Sequence, residues 1–211
     1  MKNFKEILAK GSVECDSKEE AFRKLSELSR NDEEFIFNHS EGWEKISLSS
    51  ASIIEVSDGE DITEAKKIID GKVNTNWTTN NYYSKPEVVL DLGEIKEVSK
   101  IILFNRHTRN RGTGGGNNAL KTLELSYSNE NGSDFKSFGQ YNLDGPKPVC
   151  AKIKSGGQIC TFIDDTTPNI IEIPKTLLRY LKIRFIEAFW EDDIPDDWKD
   201  SFSLTTFELY K

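Results

Sequence analysis

From about Glu44 onward the apolar residues take a period of two over a series of short segments, and this alternation limits the fold more than any other feature of the chain. Side chains along a strand point alternately to two faces, so a period of two buries one face and leaves the other to solvent. Ile46 and Leu48 begin the pattern, and Ile53-Ile54-Glu55-Val56 continues it. Val88, Leu90 and Leu92 alternate with Val89 and Asp91. Val98, Ile101 and Leu103 belong to a more continuous apolar run, as expected of a strand covered on both sides. Leu120, Leu123, Leu125 and Tyr127 form another segment, closed by the turn chemistry of Ser128-Asn129-Glu130-Asn131-Gly132. Ile170-Ile171-Glu172-Ile173 precedes Pro174, and Tyr180 to Ile186 alternates with Lys182 and Arg184 outward. Phe202, Leu204, Phe207 and Leu209 end the chain. Short strands between Gly, Asn and Asp turns, without α/β alternation, specify an all-β sandwich.

The first fifty residues differ. Phe4, Ile7 and Leu8 have helical spacing, and Gly11 ends that segment. Ser17 with Glu20 makes a capping box, in which hydroxyl and carboxylate each accept from an orphan amide. The helix that follows places Ala21, Leu25 and Leu28 on one face with Phe22 beside it, and Asn31 stops it. Residues 1–31 therefore read as two short helices with one apolar face. That face must be buried on the chain's own sandwich, which is the expectation, or on a partner chain through self-association. The organisation expected is a helical extension over residues 1–45 and a sandwich over 46–211.

Acidic residues outnumber basic ones, 36 to 28, for a net charge of -8. Phosphate binding needs clustered Lys and Arg, so nucleic acid is not an expected partner. No apolar run approaches the roughly 20 residues that span a bilayer. Met1 to Lys10 has no apolar core region and no small-residue cleavage site, so no secretory signal is read. The expected address is intracellular, within a virion or particle, or outside the cell by a non-classical route. The three cysteines are Cys15, Cys150 and Cys160. Cys150 and Cys160 flank Ser155-Gly156-Gly157, a hairpin turn, and can face each other across it. An odd count without a signal points to reduced, half-buried thiols, with a disulfide as the alternative under oxidation. Asn-x-Ser/Thr triplets at Asn38, Asn76 and Asn131 decide nothing without a signal.

One ordered set of motifs says more. Ile68-Ile69-Asp70-Gly71-Lys72-Val73-Asn74-Thr75-Asn76-Trp77 precedes the strand Pro86-Glu87-Val88-Val89-Leu90-Asp91-Leu92-Gly93. A strand ending at Arg106, Arg179-Tyr180 opening a penultimate strand, and Phe207-Glu208-Leu209 follow in order. This set resembles the discoidin family, also called the coagulation factor 5/8 type C family, which includes galactose-binding-like carbohydrate-binding modules of family 32. The resemblance covers roughly residues 46–211 and implies a jelly-roll β-sandwich with its ligand loops at one end.

It implies a structural Ca²⁺ as well. The Asp70 and Glu208 carboxylates and the Thr75 hydroxyl would coordinate it, with backbone carbonyls near Lys67, Lys72 and Thr75, a donor set matching Ca²⁺'s demand for 6–8 hard oxygens. Asp70 capping a turn and Glu208 pairing with a lysine is the simpler alternative. In the sugar-binding branch, a strand ends in Arg and a loop then leads to Asn. Here Arg106-His107 and Asn118 look like that pattern, which implies galactose-type glycans as partners. Arg106 would fork onto vicinal hydroxyls, Asn118 would donate and accept, and His107 would read an axial hydroxyl. Phe189 and Trp190, then Tyr82 and Tyr83, are the candidate aromatic platforms. Thr78 stands where the branch often has a His after the Trp.

Gly112-Thr113-Gly114-Gly115-Gly116 is no phosphate loop, since a strand follows it and no Lys is placed. Glu191, Asp192, Asp193, Asp196, Asp197 and Asp200 lack the spacing of an EF-hand. His39 and His107 are the only histidines, and no catalytic grouping stands out. The expected function is a non-catalytic, lectin-like module with a Ca²⁺ staple. The alternative is an assembly or host-attachment protein using the same sandwich for protein contacts.

Overall fold

In the computed structural model, the described residues are 12–28, 42–57, 59–72, 75–80, 84–105, 118–130, 133–144, 148–162, 169–189 and 201–211. Among them the chain forms β1 (Ser12–Cys15), α1 (Lys18–Leu28), β2 (Lys45–Ile46), β3 (Ser52–Val56) and α2 (Ile62–Ala65), which runs into a 3₁₀ turn (Lys66–Ile69). Then come β4 (Trp77–Thr78), β5 (Glu87–Phe104), β6 (Leu120–Ser128) and β7 (Lys136–Asn142). The chain continues with β8 (Pro148–Ile153), β9 (Gln158–Phe162), β10 (Asn169–Ala188), β11 (Ser203–Leu204) and β12 (Thr206–Tyr210). Within the described residues, no helix is long and apolar enough to cross a membrane.

The sandwich is built on the two longest strands. β5 and β10 pair antiparallel from Asn169 opposite Leu103 to Arg184 opposite Glu87, with register shifts after Glu172 and Leu178. Such irregularities bend a strand. The C-terminal half of β5 takes β12 as its second neighbour, with β2 beyond, whereas the N-terminal half takes β3. β6 and then β7 extend the sheet from the second half of β10. The alternation read from the sequence is thereby spent on one shared core, which includes Trp77, Leu90, Ile101, Leu103, Leu123, Ile183, Phe185, Phe202 and Phe207. The continuous apolar run of β5 has its explanation too. Ile101 and Leu103 face that core, while Ile102 and Phe104 join Tyr210 in a second cluster with Trp43 against it.

The Asp91-Leu92-Gly93 motif has a structural basis. Arg179 grips Asp91 in a fork, Nε to Oδ1 at 2.9 Å and Nη2 to Oδ2 at 3.0 Å. Asp91 Oδ1 also accepts from the Gly93 amide at 2.8 Å. Gly93 sits at φ +82°, and a Cβ there would meet the Ser50 carbonyl at 3.0 Å, so glycine is required on both counts. The Arg179 hydrogen bond, helped by the Gly93 amide, holds the Asp91 carboxyl below the usual carboxylate range. A carboxyl depressed on folding contributes stability above its unfolded pKa, about 3.9, and loses that contribution as pH falls through the lower folded value. Asp91→Asn is therefore expected to flatten the acid limb of stability below about pH 4, measured by urea unfolding across pH. An unchanged acid limb would show the fork to be energetically silent.

The N-terminal segment is not purely helical. Ser12–Cys15 is a strand that pairs parallel with β8, Ser12 opposite Cys150 and Cys15 opposite Ile153. A four-residue edge strand is too short to show a period, and its partner lies far along the chain. The capping box forms: the Glu20 amide donates to Ser17 Oγ at 3.1 Å, and the Glu20 carboxylate accepts from the Asp16 amide at 2.8 Å. Ala21 and Leu25 of α1 are buried with Cys15, Ala151 and Ile153, so this part of the apolar face packs on the chain's own β8–β9 hairpin. Phe4, Ile7, Leu8 and Asn31 lie outside the described residues.

The expectation of reduced cysteines is corrected for the hairpin. Cys150 is disulfide-bonded, and Cys15 is a buried free thiol. The turn at Gly156 (φ +109°) and Gly157 (φ +87°) sets Cys150 directly opposite Cys160 in register. Direct opposition across an antiparallel pair brings two cysteine Cβ atoms into bonding reach.

Candidate functional site

The short helix α2 delivers Asp70. Asp61 caps its start by accepting from the Thr63 amide at 2.7 Å, and the 3₁₀ turn ends with the Asp70 amide on the Lys67 carbonyl at 3.4 Å. Gly71 follows at φ +72°, which reverses the chain. The reversal returns the Lys72 amide to Asp70 Oδ1 at 2.8 Å. Thr75 Oγ1 then lies 2.8 Å from Asp70 Oδ2 and 3.1 Å from the Lys72 carbonyl oxygen. Thr206 Oγ1 donates to the Ile68 carbonyl at 3.0 Å in the interior, tying this turn to β12.

β12 carries Glu208, and the two carboxylates line one cleft of about 500 Å³ with Lys45, Ser47, Ser49 and Gly71. Of the five residues predicted as Ca²⁺ contacts, Asp70 and Glu208 line the cleft, while Lys67, Lys72 and Thr75 are joined to Asp70 by hydrogen bonds of its turn. Glu208 has two close neighbours, one of them a lysine, as the simpler reading of the sequence expected. Lys45 Nζ donates to its Oε1, and the Tyr210 hydroxyl donates to Oε2 at 2.5 Å. Tyr210 was findable, being two residues along the same strand face. Lys45 was not, because it arrives by pairing of β2 with β12, Lys45 opposite Tyr210.

The donor chemistry of the cleft suits a hard cation. Carboxylate, hydroxyl and carbonyl oxygens of Asp70, Thr75 and Lys72 lie close together in the Asp70 turn, and Ca²⁺ tolerates such irregular sets. Among the described residues, no group of three or more His, Cys, Asp or Glu side chains is gathered to hold a metal. An ion here would lean on two carboxylates and several neutral oxygens.

A second cluster lies at the mouth of the sandwich. Asn105, buried at the end of β5, clamps the start of β6: its Nδ2 donates to the Leu120 carbonyl and its Oδ1 accepts from the Leu120 amide at 3.1 Å. Asn118 Nδ2 donates to Ser201 Oγ at 2.8 Å, and its carbonyl accepts from the Ser203 amide at 2.8 Å. The half-buried Phe189 donates its amide to the Ala119 carbonyl at 2.8 Å. Thr79, buried, exchanges bonds with Phe202: amide to carbonyl at 2.9 Å, and hydroxyl from amide at 2.8 Å. Arg106, His107, Trp190, Tyr82 and Tyr83 themselves lie outside the described residues. Asn105, Asn118, Phe189 and Ser201 of this cluster are the described residues next in sequence to 106–117 and 190–200, and Thr79 precedes 81–83 by two residues. Asn105, Thr79 and Ser201 carried no signal in the sequence, since a polar residue at a strand end reads as a turn residue.

No curated protein matches the chain in sequence. Several solved structures share its fold. A CBM32-3 module from a family 31 glycoside hydrolase of Clostridium perfringens aligns with TM-score 0.56 at 14% identity, covering 79% of this chain and 94% of that one. The family 32 module of C. perfringens NanJ, solved in complex with galactose, aligns with TM-score 0.51 at 15% identity, covering 80% and 99%. CBM32-5 of a C. perfringens family 89 protein, in complex with GalNAc-β-1,3-galactose, aligns with TM-score 0.50 at 18% identity, covering 80% and 100%. At these identities the likeness establishes a common fold. The F5/8 type C domain model matches residues 45–196, from the strand that brings Lys45 to Glu208 past the end of β10. With the sandwich, the motif order and this match in agreement, the chain belongs to the F5/8 type C domain family.

Proposed function

We propose that this protein is a non-catalytic carbohydrate-binding module, with a Ca²⁺ in the Asp70–Glu208 cleft as a staple and a shallow glycan site at the mouth of the sandwich. The observation that carries the reading is the hydrogen-bonded cluster of Thr79, Asn105, Asn118, Phe189 and Ser201. Its residues adjoin in sequence the segments on which the glycan contacts are predicted, which supports the reading. Rigid stems lower the ordering cost that loops would otherwise add to binding.

In this reading Arg106 presents two parallel N–H donors to vicinal sugar hydroxyls. Asn118 commits one N–H of its side-chain amide to Ser201, which leaves the second N–H to donate and the side-chain oxygen to accept at a sugar hydroxyl. His107 reads an axial hydroxyl. Phe189 and Trp190, with Tyr82 and Tyr83 beside them, pack against the C–H face of a galactose-type ring. The Ca²⁺ supplies charge balance for Asp70 and Glu208 and joins the Asp70 turn to β12, just ahead of Trp77 and the β4–β11 pair. That galactose and GalNAc-β-1,3-galactose are held by modules of this fold supports the substrate class. A shallow site is weak by itself, so avidity through tethering or repetition is expected.

The test is a glycan array in Ca²⁺, with the protein presented multivalently, repeated on Arg106→Ala at a matched thermal melt. Binding to galactose-type glycans is expected, with loss of at least tenfold in the variant, the scale of one charged, bidentate contact. No binding by the folded, multivalent parent would overturn the lectin reading and turn attention to the assembly alternative. Part of that alternative's support is already used up, because Ala21 and Leu25 are buried within the chain.

A further inference from the structure

We propose that Lys45 acts as a tethered cation on the Glu208 wall of the cleft, which a divalent ion must displace, and that it thereby sets the cleft's metal affinity. The proposal rests on the Ca²⁺ part of the reading above. Glu208 is largely sheltered, with 17% of its side chain exposed, and a sheltered carboxylate requires a charge or hydrogen-bond partner. It has both: Lys45 Nζ at Oε1 and the Tyr210 hydroxyl at Oε2. Asp70, which lines the same cleft, is held differently. Its two oxygens accept from the Lys72 amide and the Thr75 hydroxyl, both neutral donors. Among the described residues, Glu208 is therefore the carboxylate of the cleft that carries an ammonium, and an ion on Glu208 competes with that ammonium.

The structure equips Lys45 for exchange. Its backbone is fixed in register by the β2–β12 ladder, which keeps the ammonium within reach of Glu208. Its side chain is 55% exposed, so on release the ammonium moves into water at little cost. A lysine in this position keeps the cleft balanced when no metal is present and opposes the metal when it arrives, both by competing for Oε1 and by like-charge repulsion.

The experiment is a calorimetric Ca²⁺ titration of chelator-stripped parent, Lys45→Met and Lys45→Arg, with thermal melts of each metal-free protein. Lys45→Met keeps the aliphatic stem and removes the charge. It is expected to bind Ca²⁺ roughly three- to tenfold more tightly than the parent. Its metal-free form should melt lower than the parent's, and Lys45→Arg should stay at or below the parent's affinity. Binding by Lys45→Met where the parent is silent would support the same conclusion in a stronger form. Equal Ca²⁺ affinity in parent and Lys45→Met would overturn the role of Lys45 while leaving the Ca²⁺ staple intact. Silence from both would remove the staple and this proposal with it.

Discussion

Trp77→Ala is expected to lower folding stability by about 3–5 kcal/mol, the cost of deleting a large aromatic from a packed core. Trp77 is 1% exposed and belongs to the main core. Its ring lies 5.3 Å from that of Phe185, which in turn lies 5.6 Å from Phe202 edge-on, so one substitution opens a three-ring cluster. Trp77 also sits in β4 opposite Leu204 of β11, and it follows Thr75 by two residues. The loss therefore loosens both the Asp70 turn and the Ser203 stem at the mouth. A domain of this kind holds about 5–15 kcal/mol in total, so the variant spends a large part of the margin. Urea unfolding of parent, Trp77→Phe and Trp77→Ala checks this. The expected order is parent, Phe, Ala, and a loss below about 1 kcal/mol for alanine would contradict the central position given to Trp77.

Ca²⁺ is expected to raise the melting temperature of chelator-stripped protein, and Asp70→Ala to abolish that rise. A ligand that binds only the folded state stabilises it by about 2.7 kcal/mol at a hundredfold excess over Kd. Asp70 is the better residue to remove because it organises the turn, fixing the Lys72 amide and the Thr75 hydroxyl. Its loss will lower the metal-free melt as well, so the quantity to compare is the Ca²⁺-induced shift, not the absolute temperature. Mg²⁺ should give little of the effect, because it demands near-ideal octahedral geometry and gives up its water reluctantly. A parent melt that does not respond to Ca²⁺ would remove the ion from the reading. The cleft would then be a structural ion pair between Lys45 and Glu208.

Much of this molecule was legible along the chain. The alternation of Val88, Leu90 and Leu92 placed β5, and that of Leu181, Ile183 and Phe185 placed β10, because in a strand the burial period is two wherever it lies. Ile101 to Phe104 announced two covered faces by leaving no polar gap, and both faces were found occupied. Ser17 and Glu20 capped α1, and Gly156-Gly157 turned a hairpin, since capping and positive φ are properties of a few adjacent residues. The Asp70-Gly71 turn with Thr75 belongs with these: every partner lies within five residues.

What the chain could not announce is what depends on pairing between distant segments. β1 joins β8 in parallel, Cys150 is bonded where reduced thiols were expected, and Lys45 reaches Glu208 across the β2–β12 ladder. Asn105 turns from a strand-end polar residue into the clamp of the mouth only when Leu120 is brought alongside. The sequence by itself determined that this would be a β-sandwich, with its main strands and turns, because those are written in local periodicity and local chemistry, and the order of its motifs carried the resemblance to the F5/8 type C family. Only the tertiary structure decided which charges meet in the cleft, what covers the N-terminal helix and how the stems converge. Strand register is set by the packing of the whole core, and no local stretch of sequence carries it.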